Sequence, residues 1–457
     1  MKKKLLIIVV LVIISCKQES NINYAIVSGK ITNKDVSELF LSSKDNSIKE
    51  FIKVAEDGTF RDTIDIMEGF YTLKVKKNII QLYLKAKNNI VINFDENDVE
   101  NSLSLSGTGS EISIYLASKK NKKNEILGTD TSIYLLGESE YKEKITELKS
   151  TLISELDEIK GISEEFILKE KRNIYYSYLL SLNKYERYHA HYAKKEDFKV
   201  SEGYLNELEA VSYSNEKDFL FSSDYENLVN VYYHKKAAEI VDKDGVDEDI
   251  AFLKVVNGIE NETIKNKLLY ANSVYGITYT KKLEDFYKEF MKGCTNEKYK
   301  TKITESYNKL IKVSKGQPSP RFVNYENFLG GTTSLDDLKG KYVYIDVWAT
   351  WCGPCKTEIP FLKKVEKKYH GKNIEFVSIS IDLAKDHDKW KTMIEDKELK
   401  GIQLLADNDW KSDFISEYLV KGIPRFILID PAGKIINSNA PRPSSEKLIE
   451  LFNENNI

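Results

Sequence analysis

The apolar run Tyr342–Trp348 leads within four residues to Cys352-Gly353-Pro354-Cys355, and the chain then reads as helix over about 353–369. A strand ending at the mouth of a helix that carries two cysteines is a narrow specification. The Gly-Pro spacer lets the two sulfurs close a small disulfide ring across one helical turn. Pro354 costs nothing in a first turn, whose amides have no intrahelical partners. The layout is that of a dithiol that makes and breaks disulfides. The competing reading is half of a zinc site, but zinc takes about four ligands. The remaining cysteines are Cys16 and Cys294, and none of the five histidines stands in a spacing that completes a set. No metal and no cofactor is expected.

Helix geometry gives the two cysteines different work. Cys352 stands at the helix start, where unpaired amides and the positive end of the dipole favour a thiolate and lower its pKa from the roughly 8.5 of a free thiol. Cys352 is therefore the expected nucleophile. Cys355, one turn inside and expected to be less exposed, stays a thiol until it attacks the mixed disulfide on Cys352 and releases the partner. A buried thiol that must lose its proton calls for a base. Asp346 lies in the apolar run, where a charge is costly unless it works or is paired; the alternative is a strand-end solubility residue. Glu358 follows Cys355 by three positions on the same side of the helix. It either shares the proton or is a solvated first-turn acid that favours the dipole.

The second landmark is Val420-Lys421-Gly422-Ile423-Pro424-Arg425, at the start of the apolar run 425–429. An X-Pro bond is the one place where a cis peptide is cheap, and the residues alone leave cis and trans open. A cis bond facing the dithiol would expose the Ile423 backbone for strand-like pairing with an extended substrate and shield Cys352 with an apolar ring. Further ordered pieces are Pro320-Arg321-Phe322, Ser334-Leu335-Asp336-Asp337-Leu338-Lys339-Gly340-Lys341, Trp348-Ala349-Thr350-Trp351, Glu358 with Pro360, and Asp430-Pro431-Ala432-Gly433. With these, the last third of the chain resembles the thioredoxin-fold domain of the TlpA/ResA type, membrane-tethered thiol–disulfide oxidoreductases of the bacterial cell envelope. The resemblance implies that Cys352 attacks and Cys355 resolves, that Asp346 is a buried proton-transfer group, that Glu358 is an acid near the active site, and that Pro424 is cis. It makes Trp348 and Trp351 an aromatic wall, and Trp351, Ile423 and Pro424 a substrate groove. Arg425 departs from the family pattern, since thioredoxin itself usually has Thr there. A positive charge beside the groove is expected to select acidic partners or to lower the Cys352 pKa. The stretch 386–398 resembles the extra helix of this family.

Met1-Lys2-Lys3-Lys4 followed by the apolar run Leu5–Ile14 is too short to span a bilayer as a structural helix and reads as a signal peptide. The run ends in Ile13-Ile14-Ser15-Cys16, which resembles a bacterial lipoprotein cleavage box. Residues 1–15 would then be removed, Cys16 lipidated, and 16–23 left as a tether on a lipid-anchored protein facing the periplasm. With Cys16 modified, Cys294 is left over as either a buried small hydrophobe or a reactive thiol. Lys plus Arg number 68 against 71 Asp plus Glu, a formal net charge of -3, which gives no field suited to nucleic acid.

The rest of the chain divides by pattern. Residues 24–109 are short alternating segments with turns at Asp57-Gly58 and Lys87-Asn88-Asn89, an antiparallel β-sandwich or barrel that resembles the DUF4369-type domain. Residues 110–313 are charged, rich in Leu, Ile and Tyr, and apolar at three- and four-residue spacing, hence an all-helical region. Its tyrosines around 175–192 either line a peptide groove or pack between helices. His189 and His191, two apart, fall on different faces. Residues 314–320 read as a linker, and 321–457 as the α/β thioredoxin-like domain. The expected function is a thiol–disulfide oxidoreductase that reduces disulfides of exported proteins and is recharged by a membrane electron-donor thiol protein. The alternative is a binding or sensing lipoprotein in which the redox domain is accessory.

Overall fold

A computed structural model describes residues 23–457, so the leader and Cys16 lie outside the described residues. The chain forms two compact units. One runs up to Ser212 and also takes in Lys217–Leu228; the other comprises Tyr213–Glu216 and Val229–Ile457.

The first unit begins with β1 (Tyr24–Thr32), β2 (Glu38–Ser43), β3 (Lys49–Lys53), β4 (Thr59–Asp65), β5 (Gly69–Val75), β6 (Asn78–Leu84), β7 (Asn89–Asp95), the short α1 (Val99–Ser102) and β8 (Ser104–Thr108). They make two four-stranded sheets, ordered β4-β1-β7-β8 and β3-β2-β5-β6. The period-two pattern does what it predicts: Ile90, Ile92 and Phe94 of β7 point inward with Val27, Leu41 and Leu73 into one core shared by both sheets. The sandwich is not wholly antiparallel, because β1 pairs β7 in parallel register. That pair is close at Gly29, where a Cβ would fall 1.8 Å from the Ile92 carbonyl oxygen.

The helical region is α2 (Glu111–Leu127), α3 (Glu138–Glu158), α4 (Glu164–Tyr192), α5 (Glu216–Phe221), α6 (Ser223–Asp244), α7 (Glu248–Asn257), α8 (Glu262–Gly276), α9 (Leu283–Gly293) and α10 (Glu297–Lys312). It does not stand as one domain. Helices α2 to α4 belong to the first unit, α7 to α10 to the second, and α6 runs across the division. The tyrosines of α4 mostly pack: Tyr185 is fully buried, stacks on Tyr141 at 4.4 Å and donates to the Leu136 carbonyl. His189 is buried against the Tyr134 carbonyl. Cys294 is buried, and burial pushes its thiol pKa up, which is the signature of a small hydrophobe.

The C-terminal domain contains β9 (Tyr325–Asn327), β10 (Thr332–Thr333), β11 (Tyr342–Trp348), α11 (Gly353–Tyr369), β12 (Ile374–Ser380), α12 (His387–Asp396), β13 (Ile402–Leu405), α13 (Asp413–Glu417), β14 (Arg425–Ile429), β15 (Ile435–Asn437) and α14 (Glu446–Glu454). Its sheet runs β10-β9-β13-β12-β11-β14-β15, with β11 parallel to β12 and antiparallel to β14. Strand β11 is central and buried from Val343 onward, which is why it reads as an unbroken apolar run. Tyr344, Phe376, Phe426, Leu428 and Phe452 form the core under α11 and α14. The segment expected as a linker is tied down: Gly316 N–H donates to Ile435 O, Ile435 N–H to Gln317 O, and Ser319 N–H to Gly433 O.

Two cations around the start of β14 bind carbonyls at the end of α8 and in the turn that follows it. Lys421 Nζ donates to the Val274 carbonyl and Arg425 Nη1 to the Thr278 carbonyl, both at 2.8 Å. The last carbonyls of a helix lack partners and carry its negative end, so positive donors belong there. Tyr279 completes the contact, with its hydroxyl donating to Gly422 O at 3.3 Å and its ring 5.0 Å from the Arg425 guanidinium. Removing the Arg425 side chain strands a buried carbonyl. Arg425→Ala should therefore lower stability by about 2 kcal/mol in urea unfolding, and Lys421→Ala by less. An unfolding midpoint equal to wild type in Arg425→Ala would show the contact to be idle.

Candidate active site

The strand–helix junction places the dithiol. Cys352 is the N-cap residue of α11, with Gly353 and Pro354 opening the helix, and its Sγ accepts the Cys355 backbone N–H at 3.1 Å. The same amide is positioned to stabilise a thiolate when the pair is reduced. Here the two sulfurs are joined in a disulfide with Cα atoms 5.3 Å apart. Both cysteines are 4% exposed, so the expected difference in burial between them is not seen.

The loop before Cys352 is held by a residue that sequence reasoning missed. Asp382, just past β12, is buried and accepts from Thr350 N–H at 2.9 Å, Thr350 Oγ1 at 2.8 Å and Ser380 Oγ at 2.7 Å. The signal available was an acid directly after a buried strand. Trp351 is 55% exposed beside the dithiol, with its ring 6.4 Å from that of Trp410, whereas Trp348 is buried. The Ile423–Pro424 peptide is cis, Pro424 is buried and Ile423 is half-buried.

Two charged residues sit elsewhere than their sequence positions implied. Arg425 is 2% exposed and engaged with Thr278 and Tyr279, so its charge does not stand open beside the groove; burial pushes its pKa down to about 10. Glu358 is buried but accepts from Ser444 N–H and Ser444 Oγ at 3.0 and 2.9 Å, with Arg442 Nη1 at 3.8 Å. That fixes the approach to α14 and leaves Glu358 out of the lining of the small cavity behind Cys355.

Asp346 does line that cavity, together with Cys355 and with Glu366, a second residue sequence reasoning missed. Glu366 sits in the Lys-rich second half of α11 and reads in sequence as a solvated acid. Burial, assisted by the charges of Glu358 and Glu366, pushes the Asp346 carboxyl up to about 8. Burial raises Glu366 to about 7, against the opposing pull of Lys363 and Lys400. Two carboxyls that titrate near neutrality beside a thiol are equipped to take up and give back a proton. Among the described residues no group of three or more His, Cys, Asp or Glu side chains converges as metal ligands.

The raised Asp346 pKa has a consequence for stability. The folded state binds the Asp346 proton more tightly than the unfolded state, so this contribution is complete below about pH 4 and is lost as pH rises through about 8. Asp346→Asn should be more stable than the wild type at pH 8 to 9, by up to roughly 5 kcal/mol, with the gap closing toward pH 4. Parallel unfolding curves for the two proteins across that range would contradict this.

Comparison with known proteins agrees with the geometry. Residues 316–438 match the model of the AhpC/TSA family. The thiol-disulfide oxidoreductase ResA of Bacillus subtilis is 31% identical over 126 residues, which is 27% of this chain and 66% of that protein. A ResA of Bacillus cereus is 31% identical over 137 residues, 30% of this chain and 76% of that protein. The solution structure of a candidate thiol-disulfide oxidoreductase from Bacteroides vulgatus is 54% identical, covering 30% of this chain and 89% of that one, with a TM-score of 0.27. Likeness at this level over three quarters of the Bacillus cereus protein shows the family: through its C-terminal domain the chain belongs to the ResA-like thiol-disulfide oxidoreductases of the thioredoxin superfamily.

Proposed function

We propose that this oxidoreductase is a lipid-anchored envelope protein that reduces disulfides of exported proteins and is re-reduced by a membrane thiol donor. The observation that carries the reading is the Cys355 amide donating to Cys352 Sγ at the cap of α11. A donor at that position favours thiolate at Cys352 and so makes it the attacking sulfur of an exchange reaction; the reducing direction is inferred from the Gly-Pro spacer, which resembles that of reducing thioredoxins. In the exchange, Cys352 thiolate attacks a substrate disulfide and one substrate thiolate leaves. Asp346 then takes the Cys355 proton, and the Cys355 thiolate attacks Cys352 Sγ. The Cys352–Cys355 bond forms as the second substrate sulfur departs. A redox titration of the purified protein should give a potential of roughly −270 to −200 mV, and a value above about −150 mV would overturn the reducing direction.

Anchoring rests on the leader Met1–Ile14 and on Cys16, and the β-rich domain is grouped with the DUF4369-type domains of such lipoproteins. Among the described residues no helix is long and apolar enough to cross a membrane. Cys16→Ala should move the protein from the membrane fraction to the soluble one, and unchanged fractionation would refute lipid attachment.

Trp351, Ile423 and Pro424 form the proposed groove, with backbone pairing at Ile423 accepting an extended segment of little fixed sequence. Tyr279 at Gly422 supports a part for the upstream helices in shaping it. The second reading, a binding lipoprotein with an accessory redox domain, is favoured by a polar cleft of about 490 Å³ in the first unit, lined by Ser42, Lys44, Asn46, Gln81 and Asn173 among others. Cys355→Ser should trap partners as mixed disulfides on Cys352. A Cys352→Ser protein that keeps full activity in cells would reverse the ranking of the two readings.

A further inference from the structure

The cavity behind Cys355 is small, and a few polar groups face a largely apolar lining. It holds about 10 Å³, near the least space that accommodates a single water. Three buried polar atoms of its lining residues, Asp346 Oδ1, Trp348 Nε1 and Gln403 Oε1, have no hydrogen-bond partner within the protein. One indole donor, one amide acceptor and one carboxyl oxygen are a set that one water satisfies. Glu366 reaches the same cavity from α11 and is only half-buried, so it borders both the cavity and solvent. Its place depends on Gly401, where a Cβ would fall 3.0 Å from Glu366 Oε1 and 2.6 Å from the Phe376 carbonyl oxygen.

We propose that Glu366 is a proton-relay residue: a water held by Asp346, Trp348 and Gln403 passes the Cys355 proton from Asp346 to the Glu366 carboxylate, which releases it to solvent. The inference rests on the exchange reading above. Its step balances: Cys355 Sγ–H gives its proton to Asp346, the Cys352–Cys355 bond forms as the Cys352–substrate bond breaks, and the electron pair leaves with the substrate thiolate. The proton on Asp346 must then depart before the site can accept another. The charged groups around the path are Glu358 and Lys363 on α11 itself, Asp346 on β11 and Lys400 before β13. Asp346 titrates near 8 and Glu366 near 7, a pair close enough for easy transfer, with Lys363 and Lys400 favouring the ionised outer group.

The test uses the reduced full chain and 5,5′-dithiobis(2-nitrobenzoate). The first chromophore release reports attack by Cys352 and the second reports resolution by Cys355. In Glu366→Gln the first phase should match wild type. The plateau rate of the second should fall about tenfold between about pH 6 and 8, with a larger solvent deuterium effect, and Glu366→Asp should restore most of it. A second phase that coincides with wild type, or that only shifts its pH midpoint at an unchanged plateau, overturns the relay, since a mere electrostatic neighbour would move the midpoint alone. If Glu366→Gln also slows the first phase, Glu366→Asp decides. Recovery of both phases supports the relay, and a normal first phase with a slow second overturns it. Absence of both phases in the wild type would instead overturn the exchange reading itself.

Discussion

Keeping a carboxyl group in the middle of a covered strand is the constraint on which the C-terminal domain is organised. Asp346 lies on β11, with β12 and β14 on either side and buried neighbours before and after it. A charge there is expensive, which is why the group is pushed to titrate near 8. The strand that carries it ends just before the cap of α11, and Asp346 and Cys355 line one small cavity. Asp382 holds the intervening loop by two bonds to Thr350, so the distance between strand and helix is not free to vary.

What is legible in the sequence is what local chemistry dictates. An apolar β-branched run predicts β11, Gly-Pro between cysteines predicts a helix mouth, alternation predicts the strands of the N-terminal sheets, and the elements follow at 342–348, 353–369, 374–380 and 425–429. What is not legible depends on partners far along the chain. Glu358 sits at the right spacing from Cys355, but Ser444, from a distant segment, claims it. Glu366 looks like one more charge on a Lys-rich helix until Gly401 and β13 close over it. The segment 314–320 has the composition of a linker and is held by backbone bonds to β15 and the turn before it that no composition reveals. The parallel pairing of β1 with β7 is likewise a matter of topology, to which period-two patterning is blind.

The helical region shows the same limit at the scale of domains. Its uniform composition suggests one body, yet α7 to α10 share a compact unit with the redox domain. The link is specific: a helix end offers carbonyls, and the loop carrying the cis proline supplies Lys421 and Arg425 to meet them.

That link changes the meaning of Arg425. In sequence it is a charge next to a proline that faces a dithiol, and therefore a candidate for choosing acidic partners. In the fold its guanidinium lies against Tyr279 and a backbone carbonyl, and burial lowers its pKa instead of leaving a free surface charge. A residue so enclosed acts on substrates only through the loop it holds. The side chain it packs against is Tyr279, 41% exposed and bonded to Gly422, the residue before Ile423. The position where this chain departs from thioredoxin thus ties the cis-proline loop to the end of α8 and the turn after it, a contact made within the second unit.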